Sequence, residues 1–120
     1  MPKHIGKPFV VPIPGGKVIE EFIGHANSNT SRLSVAHMIA QPGWEEPAQC
    51  PDFDEVTIVI RGKLRVEASG QIFDVSEGET ILCEQGEKIR YSNPFEEECE
   101  IWAICTPAFD PSIVNRDEAF

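Results

Sequence analysis

Short apolar or alternating runs, each closed by glycine, proline or asparagine, recur at intervals of about eight to twelve residues along this chain, a spacing that fits strands and turns and excludes most helices. Candidate strands fall at 17–23, 32–41, 55–60, 63–68, 71–75, 80–83, 88–92 and 100–106. Turns are marked by Gly15-Gly16, Pro42-Gly43, Ser69-Gly70 and Glu77-Gly78. The Ser69-Gly70 pair predicts a tight hairpin between 63–68 and 71–75, because such a turn demands positive backbone dihedrals that these residues tolerate. A helical period is suggested only near the C-terminus. The pattern is that of an all-β barrel or sandwich.

At 120 residues the chain can bury one core, and a 41% hydrophobic fraction excludes a mainly disordered state. Its formal charge of −10 argues against nucleic acid and against acidic membrane surfaces, since both need a basic face and the ten Lys and Arg are scattered. No run has the apolar length to cross a bilayer, and prolines interrupt the first residues before a signal-peptide core could form, so a cytoplasmic location is expected. Four prolines within the first 14 residues suit an edge strand or an arm that packs on a neighbour. The acidic cluster Glu96, Glu97, Glu98 and Glu100 reads as a solvated turn. Cys50, Cys83, Cys99 and Cys105 lie 33, 16 and 6 residues apart, which provides neither a zinc knuckle nor a disulfide framework.

Gly43, Glu55 and Gly62, followed by Gly78, Gly86 and Asn93, stand in the register of the two sequence motifs of the cupin superfamily. The chain resembles a small RmlC-like cupin over residues 33–109, which implies a double-stranded β-helix, or jelly-roll barrel, with its ligand cavity inside the strands. The histidine positions of the first motif hold Gln49 and Pro51, and that of the second holds Ile89, so of the four family metal ligands only Glu55 remains. None of the three replacements offers the imidazole nitrogen that a transition metal prefers. The resemblance therefore implies a barrel without the usual metal centre, and no other cofactor is expected. Within the superfamily, FDEVTIVIRGKLRV, VSEGETILCEQGEKIRYSNP and CEIWAICTPAF are similar to the ethanolamine-utilisation cupins, which also lack the metal histidines. That group resembles an acyl-phosphate-forming kinase of bacterial microcompartments, but no glycine-rich phosphate loop is present here. Relatives often pair through N-terminal arms, so a homodimer is expected.

Glu55 is the leading candidate for chemistry: an inward carboxylate in a mostly apolar barrel has its pKa raised and can serve as a general acid or base. The alternative is a structural hydrogen bond to Gln49, Tyr91 or Arg61. Parity along a regular strand places Gln49, Phe53 and Thr57 on the face of Glu55 as substrate-binding candidates, although Pro51 invites a bulge. His37 could pair with Glu55 or replace a lost metal ligand, if its strand lines the cavity; its parity with Val35 and Ile39 shows only that it shares their face. Tyr91, by register with Ile89, should point inward as a third catalytic candidate. Trp44 and Trp102 suit core or dimer packing first and the cavity rim second, with Trp102 carried as a binding candidate. Cys50 lies among carboxylates that would raise its pKa, which disfavours a catalytic thiolate, while Cys83 and Cys105 read as core.

The expected organisation is an N-terminal arm with edge strands over 1–30, a cupin barrel over 31–109 and a tail over 110–120 wrapping the outside. The functional expectation is a small organic ligand bound in the barrel and processed by proton transfer at Glu55. Two alternatives remain: a filled, non-catalytic homodimeric scaffold, and a metalloenzyme built from His37, Gln49, Cys50, Asp52 and Glu55.

Overall fold

The computed structural model describes residues 1–117. Nine strands form: β1 (Phe9–Val11), β2 (Lys17–Ile23), β3 (Ser34–Ala40), β4 (Asp54–Arg61), β5 (Lys63–Ala68), β6 (Gln71–Ser76), β7 (Thr80–Cys83), β8 (Ile89–Ser92) and β9 (Cys99–Thr106). They assemble into a six-stranded sheet ordered β1-β2-β3-β9-β4-β7 and a three-stranded sheet ordered β6-β5-β8, and every strand pairing is antiparallel. No helix among the described residues is long and apolar enough to cross a membrane.

Local chemistry accounts for the connections. Ser69 and Gly70 both adopt positive φ, 53° and 73°, which turns β5 into β6 in register with Ala68 opposite Gln71. Gly62, alone between β4 and β5, has φ 78°, and a Cβ there would overlap the Glu98 carbonyl oxygen. β1 is not among the candidate strands given by residue number, since three residues flanked by Pro8 and Pro12 are too short to show an alternation; they pair with β2 at the sheet edge. The suggestion of a C-terminal helix resolves into a single 3-10 turn, Pro111–Ile113, capped by the Asp110 side chain.

Period-2 alternation decides what lies inside. Cys99, Ile101, Ala103 and Cys105 of β9 are buried while their neighbours are only half-covered, and Leu64, Val66 and Ala68 of β5 face them from the smaller sheet. Val59, Ile89, Tyr91 and Trp44 complete this principal core. A second cluster, Phe53, Cys105 and Val114 with Phe109 and Ile113, closes one end of the barrel. The tail therefore does more than cover the outside: Val114 is buried, and the backbone of Asn115 accepts a hydrogen bond from Cys50 N. Positions 118–120 of the expected tail lie outside the described residues.

Candidate functional site

The barrel is not filled. A cavity of about 290 Å³ lies between the sheets, at the lower edge of the range for small-molecule sites. Four inward positions of β3 and β9 that border the hollow carry small residues, Ser34, Ala36, Ala40 and Ala103, where larger side chains would fill part of the space. Pro12, Ile13, Ile19, Met38 and Ile101 add apolar surface.

Glu55 stands in the central strand β4, opposite Cys105 of β9 and Cys83 of β7, and borders this cavity. Its side chain is half-buried by accessible surface, but it sits deep in the barrel and is largely stripped of bulk water. Loss of solvation raises its pKa from 4.5 to about 7; the Lys17 ammonium opposes the rise, and the Glu46 carboxylate adds to it. The Tyr91 hydroxyl lies close enough to oppose the rise as well, but its geometry falls short of a formed hydrogen bond. Tyr91 itself is pushed well above the usual phenol range, by burial first and then by the charge of Glu55. Near neutral pH, Glu55 is therefore poised to hold or to release a proton.

Polar groups around the cavity divide into two kinds. Some are committed to the protein: Glu21 accepts from the backbone N–H groups of Ala26 and Asn27, and Ser34 Oγ accepts from Phe109 N. Gln49 Oε1 accepts from Arg116 Nε and Nη2, both at 3.3 Å, and Arg116 Nη2 lies 3.7 Å from Glu46. Others have no partner among the described residues: Trp44 Nε1, Thr57 Oγ1 and Tyr91 Oη are buried and unsatisfied, although all three side chains line the cavity. Each such group costs about 1–3 kcal/mol unless something bonds it.

Among the residues expected from sequence, Glu55, Tyr91, Gln49 and Thr57 are brought together at the cavity. Three others are not. His37 projects from the opposite face of β3, where Nε2 meets Glu100 at 2.7 Å and Nδ1 meets Glu20 at 3.3 Å. Trp102, cross-strand from His37, stacks on it at 5.0 Å on the same outer face. Phe53 precedes β4 and packs against Phe109 in the second cluster, one layer behind the cavity wall. Arg61, offered as a structural partner for Glu55, instead pairs with Glu98 and Glu100. Sequence reasoning missed Lys17, Glu46 and Arg116. The first starts an expected strand, in phase with the inward Ile19 and Glu21, so its parity was a usable signal; Arg116 lies in an irregular tail that gave none.

The donor set does not fit the metal of the fold family. The three positions that would bear histidines hold Gln49, already bonded to Arg116, Pro51 and the core residue Ile89. The substitute set fails as well: His37 is on the outer face and Cys50 Sγ donates to Gly86 O, and no group of three His, Cys, Asp or Glu among the described residues is placed to hold an ion. The cysteines are all free thiols, and burial raises the pKa of Cys83, Cys99 and Cys105.

Two antiparallel sheets packed around an apolar core and a cavity make a jelly-roll barrel. The chain belongs to the cupin family: the profile of the Cupin_2 group, described as a cupin domain, matches residues 36–105, from β3 through β9. Endoribonuclease YbeY of Myxococcus xanthus (strain DK1622) is 43% identical over 108 residues, which is 90% of this chain and 37% of that protein. The chain thus spans little more than a third of the length of this curated relative. Among solved structures, the EutQ protein of Clostridium difficile is similar with a TM-score of 0.62 and 24% identity, over 77% of this chain and 64% of that one. The polyketide cyclase RemF of Streptomyces resistomycificus is similar with a TM-score of 0.77 and 16% identity, over 99% and 88%. At these identities the structural likenesses establish the fold.

Proposed function

We propose that this cupin binds a small organic molecule in the barrel cavity and that Glu55 acts on it as a general acid or base, moving a proton within the bound ligand without a metal of the usual cupin kind. The observation that carries this reading is the pairing of a carboxyl whose pKa is raised to about 7 with a cavity of about 290 Å³ beside it. Buried carboxyls also occur in purely structural networks, but those are held by hydrogen bonds, and no partner within bonding geometry holds Glu55 among the described residues. The unsatisfied Trp44, Thr57 and Tyr91 groups supply the second support, since a bound ligand would give them partners. The endoribonuclease activity named for the Myxococcus relative is that of a much longer protein, and the net charge of −10 does not favour a phosphate backbone, so nucleolysis is not part of this proposal. Calorimetric screening of metabolites in chelator-treated buffer tests the reading, with Glu55→Gln alongside. Wild-type protein should bind one class of small molecule and convert it with a rate that depends on pH near neutrality, and Glu55→Gln should bind without turnover. Identical behaviour of the two proteins in every assay would sink the role of Glu55.

A further inference from the structure

The cavity has an imbalance between donors and acceptors. Apart from Glu55, the carboxylate and amide acceptors on its wall already have protein partners, as does the Ser34 hydroxyl: Glu21 holds two backbone N–H groups, Ser34 Oγ holds Phe109 N, and Gln49 and Glu46 are engaged by Arg116. Three donors, by contrast, are buried without a partner. Trp44 Nε1 can only donate, the Thr57 and Tyr91 hydroxyls can donate, and none of the three has a partner among the described residues. Lys17 is the telling group. Its ammonium stands over the Trp44 ring at 4.1 Å on the cavity wall, and among the described residues no carboxylate lies within 4.0 Å of it. Arg116, the other cation on the wall, is already engaged.

We propose that the cavity selects a small organic anion, a carboxylate or enolate on an apolar body, and that Lys17 is the specificity-determining residue that holds its negative end. This inference rests on the ligand-binding reading above and adds the class of ligand to it. A neutral or cationic ligand would leave the Lys17 charge without a partner on the cavity wall, whereas an acceptor-rich anion supplies one. The volume of about 290 Å³ equals about ten water volumes, which suits one substituted ring or a short branched chain resting on Ala36, Met38 and Ile101. Lys17 also lies near enough to Glu55 to oppose the rise in its pKa, so the anionic end of the ligand would be held beside the group that exchanges the proton.

The test uses benzoate and its neutral isostere benzamide as probes, titrated calorimetrically into the full chain at about pH 6, where Glu55 is largely protonated. Benzoate should bind at least about tenfold more tightly than benzamide, the size expected for one charge-assisted contact. Lys17→Met should abolish that preference while leaving benzamide affinity within about twofold. Glu55→Gln should retain the preference. Equal binding of the two probes to wild-type protein, which needs no variant to fold, overturns the inference and leaves the ligand-binding reading standing. Retention of the preference by a folded Lys17→Met also overturns it. Binding of neither probe at millimolar concentration overturns it together with the ligand-binding reading.

Discussion

Replacing Glu55 with glutamine should stabilise the protein at alkaline pH and leave it nearly unchanged at acid pH. The folded carboxyl titrates at about 7 and the unfolded one at 4.5, so between these values the folded state holds more protons and rising pH favours unfolding. The contribution of neutral Glu55 is thus fully present below pH 4.5 and is lost as pH climbs through about 7. At about 1.4 kcal/mol per pKa unit, the ionised side chain weakens the fold by up to about 3 kcal/mol. Water that reaches the carboxyl through the cavity screens part of this, which makes about 2 kcal/mol the working expectation. Glutamine preserves the shape and never ionises. For a domain of this size that gain is roughly 8 °C in Tm at about pH 8.5, falling towards zero at about pH 4. Thermal melts of both proteins across that range measure the difference, in which titrating groups not coupled to Glu55 cancel. A difference that does not vary with pH, or a variant less stable than wild type at alkaline pH, would refute the burial argument on which the proposed chemistry depends.

Thr57→Val, which removes a fully buried and unpartnered hydroxyl at constant volume, should raise the urea midpoint by the equivalent of about 1 kcal/mol; a lower midpoint would reveal a partner for Oγ1. Gly62→Ala combines positive φ with an overlap on the Glu98 carbonyl and should cost roughly 2–4 kcal/mol in the same assay, whereas a near-neutral effect would show that the β4–β5 junction relaxes freely. Of the four thiols, Cys50 alone is not buried, so an aromatic disulfide reagent should titrate one group rapidly in native protein and the other three only on unfolding; more than one fast thiol would contradict the packing of the core.

The arrangement of strands was legible because alternation and turn chemistry are local. Lys17–Ile23, Lys63–Ala68 and Thr80–Cys83 stand where the pattern placed them, and Tyr91, turned inward by its register with Ile89, lines the cavity. Parity gives two faces without naming the inner one. On β3 both faces carry apolar residues, Val35 and Ile39 on one and Ala36, Met38 and Ala40 on the other, and His37 belongs to the first. Extending the phase of Glu55 backwards failed already at Phe53, because regular strand geometry begins only at Asp54. Gln49 nevertheless reaches the cavity through its own bridge to Ile89 and its bond to Arg116, a contact between residues 67 apart that no local pattern encodes. Lys17 was passed over for a different reason. Lysine at a strand start reads as solvated surface, and only the three-dimensional neighbourhood shows that its ammonium turns towards an aromatic ring and a cavity.

The edge strand β1 leads directly into the wall of the cavity. Val11, Pro12 and Ile13 form part of the cavity wall, yet β1 pairs with β2 alone, and Pro8 and Pro12 on either side of it can donate nothing to a ladder. Fraying of this three-residue edge strand breaks only its pairing with β2, so it is expected to open the hollow at less cost than separating the two sheets.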